Sequence, residues 1–180
     1  MKIFSLPGKQ DTEFPSGRLG ILNLRSIDPL FFELFKGLRA KVEYKMDMGN
    51  LRILAVSSAV AGEGKTLTAI HLAANMASTG RKKVLLMDMD LRKSCIAREL
   101  EMAPNSGLSE FLLGSVPKEK IIRNSVVPGL SVIVGGKTIS SPADMLAGEK
   151  FRSLLRDLRE QFDVVILDTP PILPVPDAVT

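Results

Sequence analysis

Apolar and polar positions change period several times along this chain, and each change predicts an element. From Ser26, the run SIDPLFFELFKGLRAKVEYK spaces apolar residues as a helix does, with Asp28 suited to the N-cap and Pro29 to the first helical position. A leading helix is therefore predicted. LRILAVS (51–57) is a short apolar run rich in branched residues, which predicts a strand. A glycine-containing turn follows, then TLTAIHLAANMAS (66–78) at helical period, with Gly80 as its stop. KKVLLMDMD (82–90), LSVIVGG (130–136) and DVVILD (163–168) predict three more strands, and GLSEFLLGS (107–115) and PKEKII (117–122) short helical pieces between them. SSPADMLAGEKFRSLLRDLREQF (140–162) predicts an amphipathic helix opened by a capping box, Ser141 and Asp144 around Pro142, and interrupted near Gly148.

Continuous apolar strands alternating with helices predict an α/β fold. Its mostly parallel sheet should carry helices on both faces and bind ligands at the C-terminal strand ends. Residues 1–27 lack sustained periodicity and are expected to form a flexible arm ahead of one domain, residues 28–180. Composition agrees, because 180 residues with 45% hydrophobic content can bury one substantial core. No window approaches the roughly 18 apolar residues of a membrane span, and the N-terminal apolar run is too short for a secretory signal, so a cytoplasmic location is expected. The single cysteine, Cys95, excludes an internal disulfide and a multi-cysteine metal site, and is expected to be a packing residue. A net charge of +4, scattered over 81–83 and 118–123, predicts solvated surface rather than a nucleic-acid footprint.

The candidate chemistry lies at strand ends. AVAGEGKT (59–66) has phosphate-loop spacing except that Ala59 stands at the usual first glycine. Gly62 and Gly64 permit backbone conformations that turn successive N–H groups toward a phosphate at the positive end of the following helix. Ala61, Gly62, Glu63, Gly64, Lys65, Thr66 and Leu67 are the expected nucleotide-binding residues. Lys65 brings a charge for the terminal phosphates and Thr66 a hydroxyl for Mg²⁺. Asp88 and Asp90 are two apart, so in extended chain they face one side, where a cation would relieve their repulsion. Asp168 ends another apolar strand, where phosphate-loop proteins keep a metal-associated aspartate.

Together AVAGEGKT, LLMDMDLR and VVILDTPP resemble the Walker A, Walker A′ and Walker B motifs of the bacterial tyrosine kinases that govern capsule and exopolysaccharide assembly. The likeness runs from about Phe31 to Ala178, through NSGLSEFLLG and GGKTISSPADMLAGEKFRSLLRDL. The wider superfamily holds septum-placement and plasmid-partition ATPases, whose loops normally begin with a signature lysine. This chain has no lysine in the loop ahead of Lys65, and the Asp-x-Asp-x-Arg form of DMDLR is the kinases' own.

The resemblance implies an ATP- and Mg²⁺-dependent tyrosine autokinase with Lys65, Asp88 and Asp90 as catalytic residues. Lys65 would clamp phosphates of ATP or ADP, and Thr66 would ligate Mg²⁺ directly. Asp90 and Asp168 would hold the metal's waters, and Asp88 would accept the tyrosine proton. Arg92 would steady the carboxylates or the acceptor. The implied partner is a membrane-embedded polysaccharide chain-length regulator whose cytosolic tail completes the active state, placing the chain peripherally at the inner membrane. ELFKGLR is similar to the family's Glu-x-x-Arg-x-x-Arg oligomerisation motif, through Glu33, Lys36 and Arg39, although a solvated helix face explains it equally well. His71, where the family tends to have Asn, is expected to be structural. The family continues into further strands and a tyrosine-rich tail, whereas this chain holds one tyrosine, Tyr44, and stops at Thr180. The C-terminal part of the fold is therefore expected to be missing, leaving an open sheet edge. The alternative is a nucleotide-dependent assembly ATPase that phosphorylates no protein.

Overall fold

The computed structural model describes residues 29–103 and 105–173; the expected arm at 1–27 and the Asp28 cap lie outside these residues. The elements are α1 (Pro29–Met48), β1 (Ile53–Val56), α2 (Lys65–Ala77), β2 (Val84–Asp88), α3 (Ile96–Glu99), α4 (Leu108–Leu112), a 3₁₀ turn (Lys118–Lys120), β3 (Arg123–Asn124), β4 (Leu130–Ile133), α5 (Pro142–Ala147), α6 (Glu149–Gln161) and β5 (Val164–Asp168). The strands form one sheet in the order β1-β5-β2-β4-β3. Its pairings are parallel except for the short edge ribbon β3 against β4.

Period-two alternation divides the sheet's side chains between two layers. Val84 and Leu86 of β2, Leu130 and Val132 of β4, and Val164 and Ile166 of β5 pack with the buried face of α2. Leu85 and Met87, Ile133, and Val165 and Leu167 pack with Phe151, Leu154 and Leu158 of α6. Both faces are thus covered, which is why β2 and β5 are buried along their whole lengths. β5 enters between β1 and β2 in a register that pairs Val56 with Asp168 and Asp88 with Asp168. That register sets the phosphate loop and two carboxylates at one end of the sheet.

Two local expectations need correction, and one helix was not expected. β2 ends at Asp88, so Asp90 lies in the following loop and the two aspartates do not alternate along one extended strand. Ser141 precedes α5 but makes no side-chain cap bond, so this capping box does not form. Residues 95–100 hold the short helix α3, whose single turn is too brief to leave a periodic signal. The interruption at Gly148 is present: its extended backbone, φ −74° and ψ 160°, separates α5 from α6.

Candidate active site

β1 delivers the chain to a turn in which Gly62 and Gly64 have φ of 88° and 86°, the left-handed region that glycine enters without a Cβ penalty. A Cβ at either position would meet nothing within 4 Å, so conformation rather than crowding requires these glycines. α2 begins at Lys65 with neither a side-chain cap nor an acidic residue in its first turn. Among the described residues, the N–H groups from Ala61 to Leu67 find no protein acceptor. The first such bond after them runs from Thr68 to the Gly64 carbonyl at 2.8 Å. Glu63 turns outward and accepts from the N–H groups of Ala59 (2.8 Å) and Val60 (3.2 Å), which fixes the entry to the turn. The result is a cradle of unengaged donors at a helix's positive end, the arrangement that holds phosphate.

Side chains from three strand ends meet beneath this cradle. Thr66 Oγ1 donates to Asp168 Oδ2 at 2.7 Å across 102 residues of sequence. Lys65 Nζ lies 3.5 Å from Asp168 Oδ1 and 3.7 Å from Asp90 Oδ2. Asp168 Oδ1 is buried and receives no hydrogen bond, so the lysine meets it as an ion pair only. Burial pushes the Asp168 carboxyl above its ordinary range, and the bonds and charge of Thr66 and Lys65 offset this only in part.

The other carboxylates have distinct settings. Asp88 is completely buried. Its oxygens accept from Asp90 N (3.1 Å), Ser94 Oγ (2.8 Å), Cys95 N (3.0 Å) and Ile96 N (3.1 Å), so it organises the loop from β2 to α3. Burial still dominates and raises its pKa, with the Asp168 charge adding to the rise. Asp90 accepts from Lys93 N at 3.0 Å. Sequence reasoning missed Ser94 and the α3 amides as partners of Asp88; a small polar residue shortly after a carboxylate-ended strand was their only local signal. Cys95 Sγ lies 3.8 Å from Thr66 Oγ1, and burial raises its thiol pKa, as befits a packing residue.

No group of three or more His, Cys, Asp or Glu side chains with metal-holding geometry occurs among the described residues. One hydroxyl with two carboxylates is the donor set here. Hard oxygens of this kind, few in number, suit Mg²⁺, which keeps much of its own water shell. The unengaged oxygen of Asp168 fits such a cation or its waters.

On α1, the oligomerisation candidates divide. Glu33 and Lys36 pair at 2.7 Å on the exposed face. Arg39 instead donates to Asn75 O of α2 at 3.3 Å and lies 3.7 Å from Glu43, so much of it serves helix packing. His71 is buried, with the rings of Phe31 and Phe35 at 5.1 and 5.2 Å, and burial lowers its pKa, which agrees with a structural role.

Residues 51–178 match the AAA domain family. The chain belongs to that family. Its relatives include bacterial proteins named tyrosine-protein kinases. The chain is 33% identical over 159 residues to the tyrosine-protein kinase Ptk of Acinetobacter johnsonii, covering 88% of this chain and 22% of that protein. It superposes on the kinase domain of the Escherichia coli tyrosine kinase ETK with a TM-score of 0.76 and 33% identity, over 80% of this chain and 56% of that one. A more distant likeness, TM-score 0.57 and 28% identity over 67% of this chain and 51% of the other, is to cobyrinic acid a,c-diamide synthase of Mycobacterium smegmatis solved with ADP and magnesium. The chain thus spans about a fifth of the length of Ptk.

Proposed function

We propose that residues 28–180 are the nucleotide-binding part of an ATP- and Mg²⁺-dependent protein-tyrosine kinase that phosphorylates its own kind and regulates capsular or exopolysaccharide synthesis. One observation carries the reading: a cradle of unengaged N–H groups stands directly over the Lys65, Thr66, Asp90 and Asp168 cluster. Phosphoryl transfer asks a protein mainly for positioning and charge neutralisation, and this cluster supplies both.

In this mechanism the Ala61–Leu67 amides hold the phosphate chain, and Lys65 leaves its two carboxylates to meet the terminal phosphates. Thr66 and Asp168, with Asp90, would hold Mg²⁺, which when bound neutralises charge growing on the transferred group. The tyrosine oxygen forms the new bond to the γ-phosphorus as the bond to ADP breaks. Asp88 takes the hydroxyl proton, its burial having raised it toward the range a base requires. To do so it must release one of the four bonds that tie it to its loop.

No described helix is long and apolar enough to cross a membrane. In this reading the partner is the cytosolic tail of a membrane-embedded polysaccharide chain-length regulator, with Glu33, Lys36 and Arg39 serving assembly. Incubation with labelled ATP, Mg²⁺ and a peptide of such a tail, followed by mapping of phosphotyrosine, tests the proposal. Phosphotyrosine that disappears in Lys65→Met supports it. No phosphotyrosine, or an equal amount in the variant, overturns it.

A further inference from the structure

A second concavity borders the phosphate site and is unused by the mechanism above. It is a cleft of about 620 Å³ between the loop after β2 and the loops at 105–110 and 134–138, with Arg92, Lys93, Arg98 and Lys137 on its walls. Among the described residues, no carboxylate lies within ion-pairing reach of Arg92, Lys93 or Lys137. Arg98 meets Glu99 at 2.6 Å, but its side chain is 77% exposed, so water screens that pair and an incoming carboxylate can replace it.

The cleft's own acid, Glu110, is already committed. It accepts from Gly107 N (2.7 Å), Ser109 Oγ (3.1 Å) and Lys137 N (3.1 Å), and so ties the two loops together. Burial would raise its pKa, yet these bonds outweigh burial and hold it below its ordinary value. The wall is also rigid: a Cβ at Gly107 would lie 2.2 Å from Val134 O, and one at Gly136 would lie 2.1 Å from Glu110 Oε2. A preformed surface with unmatched positive charge loses little entropy when an anionic chain settles on it.

Placement decides what that chain is. The loop from Met89 to Cys95 presents one side to Asp88 and Asp90 through Lys93 N, Ser94 Oγ and Cys95 N. Its Arg92 and Lys93 side chains line the cleft. An extended polypeptide running along the cleft therefore reaches the phosphoryl site with its neighbouring residues still among the cations. The cations come from three segments, Arg92 and Lys93 from the loop after β2, Arg98 from α3 and Lys137 from the loop after β4, which suits several carboxylates along a chain better than one compact anion.

We infer that this cleft binds an acidic segment flanking the acceptor tyrosine, so that Arg98 and Lys137 select the substrate. The inference rests on the kinase reading and names its acceptor's chemistry. Fluorescence anisotropy with the full chain at low salt tests it, using a labelled tyrosine peptide rich in Glu and its Gln-for-Glu counterpart. The acidic peptide is expected to bind about 10-fold more tightly, the scale of one or two well-placed charge contacts. The double variant Arg98→Glu/Lys137→Glu is expected to lose that preference and Arg98→Lys/Lys137→Arg to keep it, with Mg-ADP affinity confirming an intact fold. Equal binding of the two peptides, or a preference that survives charge reversal, overturns the inference. Charge-selective binding without phosphotransfer would sink the kinase reading and spare the cleft; phosphotransfer without charge selection would do the reverse.

Discussion

α2 and α6 are helices of equal length, thirteen residues each, packed on opposite faces of the same sheet. α6 follows the rules of a helix that serves stability. It has Glu149 in its first turn and Arg159 in its last, where each complements the helix dipole, and a narrow buried stripe of Phe151, Leu154 and Leu158. α2 breaks them at its start. It places the cation Lys65 at its positive end, leaves its first N–H groups unengaged, and is buried from Ala69 to Ala77. The contrast shows where the fold has accepted an unfavourable terminus. Burial of α2's later turns offsets that N-terminus.

Substitutions can break this division of labour. The largest effect is expected from Leu158→Ala, which empties a fully buried site against the sheet and should cost about 2–5 kcal/mol in urea melts. Its Mg-ADP affinity should match the parent's; a large loss there would show that α6 also shapes the site. Thr66→Val keeps the volume of the α2 start but removes its hydroxyl. Calorimetric titration should then show the Mg²⁺-dependent part of ADP binding weakened on the order of 10–100-fold, and about 1–3 kcal/mol of stability should be lost because buried Asp168 loses its hydrogen-bond donor.

Gly64→Ala meets no atoms, so only backbone strain acts, and roughly 1–2 kcal/mol of stability should be lost. ADP affinity should fall with it. Loss of one without the other would uncouple the turn from phosphate binding.

The subtlest test is pH. Asp168 has a folded pKa above its unfolded one, so the folded chain binds more protons in that range. The stability it contributes is present in acid and lost as pH rises through the raised value. In the parent, relative to Asp168→Asn, apo stability should therefore decline as pH rises above the ordinary carboxylate range. Mg-ADP affinity should rise over the same interval, because the metal needs the carboxylate ionised. Parallel trends would show that Asp168 does not join the two functions.

Much of this architecture was legible because its signals are local. The apolar runs at 53–56, 84–88, 130–133 and 164–168 became strands, and the stop at Gly148 divided α5 from α6. The phosphate loop was legible for the same reason, since its glycines need positive φ wherever they occur. The partners of Asp88 were not legible. Its ligands come from a loop whose path depends on the carboxylate itself, and no periodicity marks them. Arg39 shows the same limit: the resemblance put it in an assembly motif, and only the packing of α2 shows that its guanidinium also reaches Asn75 O.

By itself, the sequence determined the four longer strands and the longer helices, where the glycine turn falls, and which side chains could carry phosphate chemistry. All of these follow from dihedral preference and short-range spacing. Only the tertiary structure decided that β5 inserts between β1 and β2 and brings Asp168 to Thr66 from 102 residues away. Burial on both faces drives that insertion, because β5, wholly apolar before its final aspartate, is most stable in the middle of the sheet.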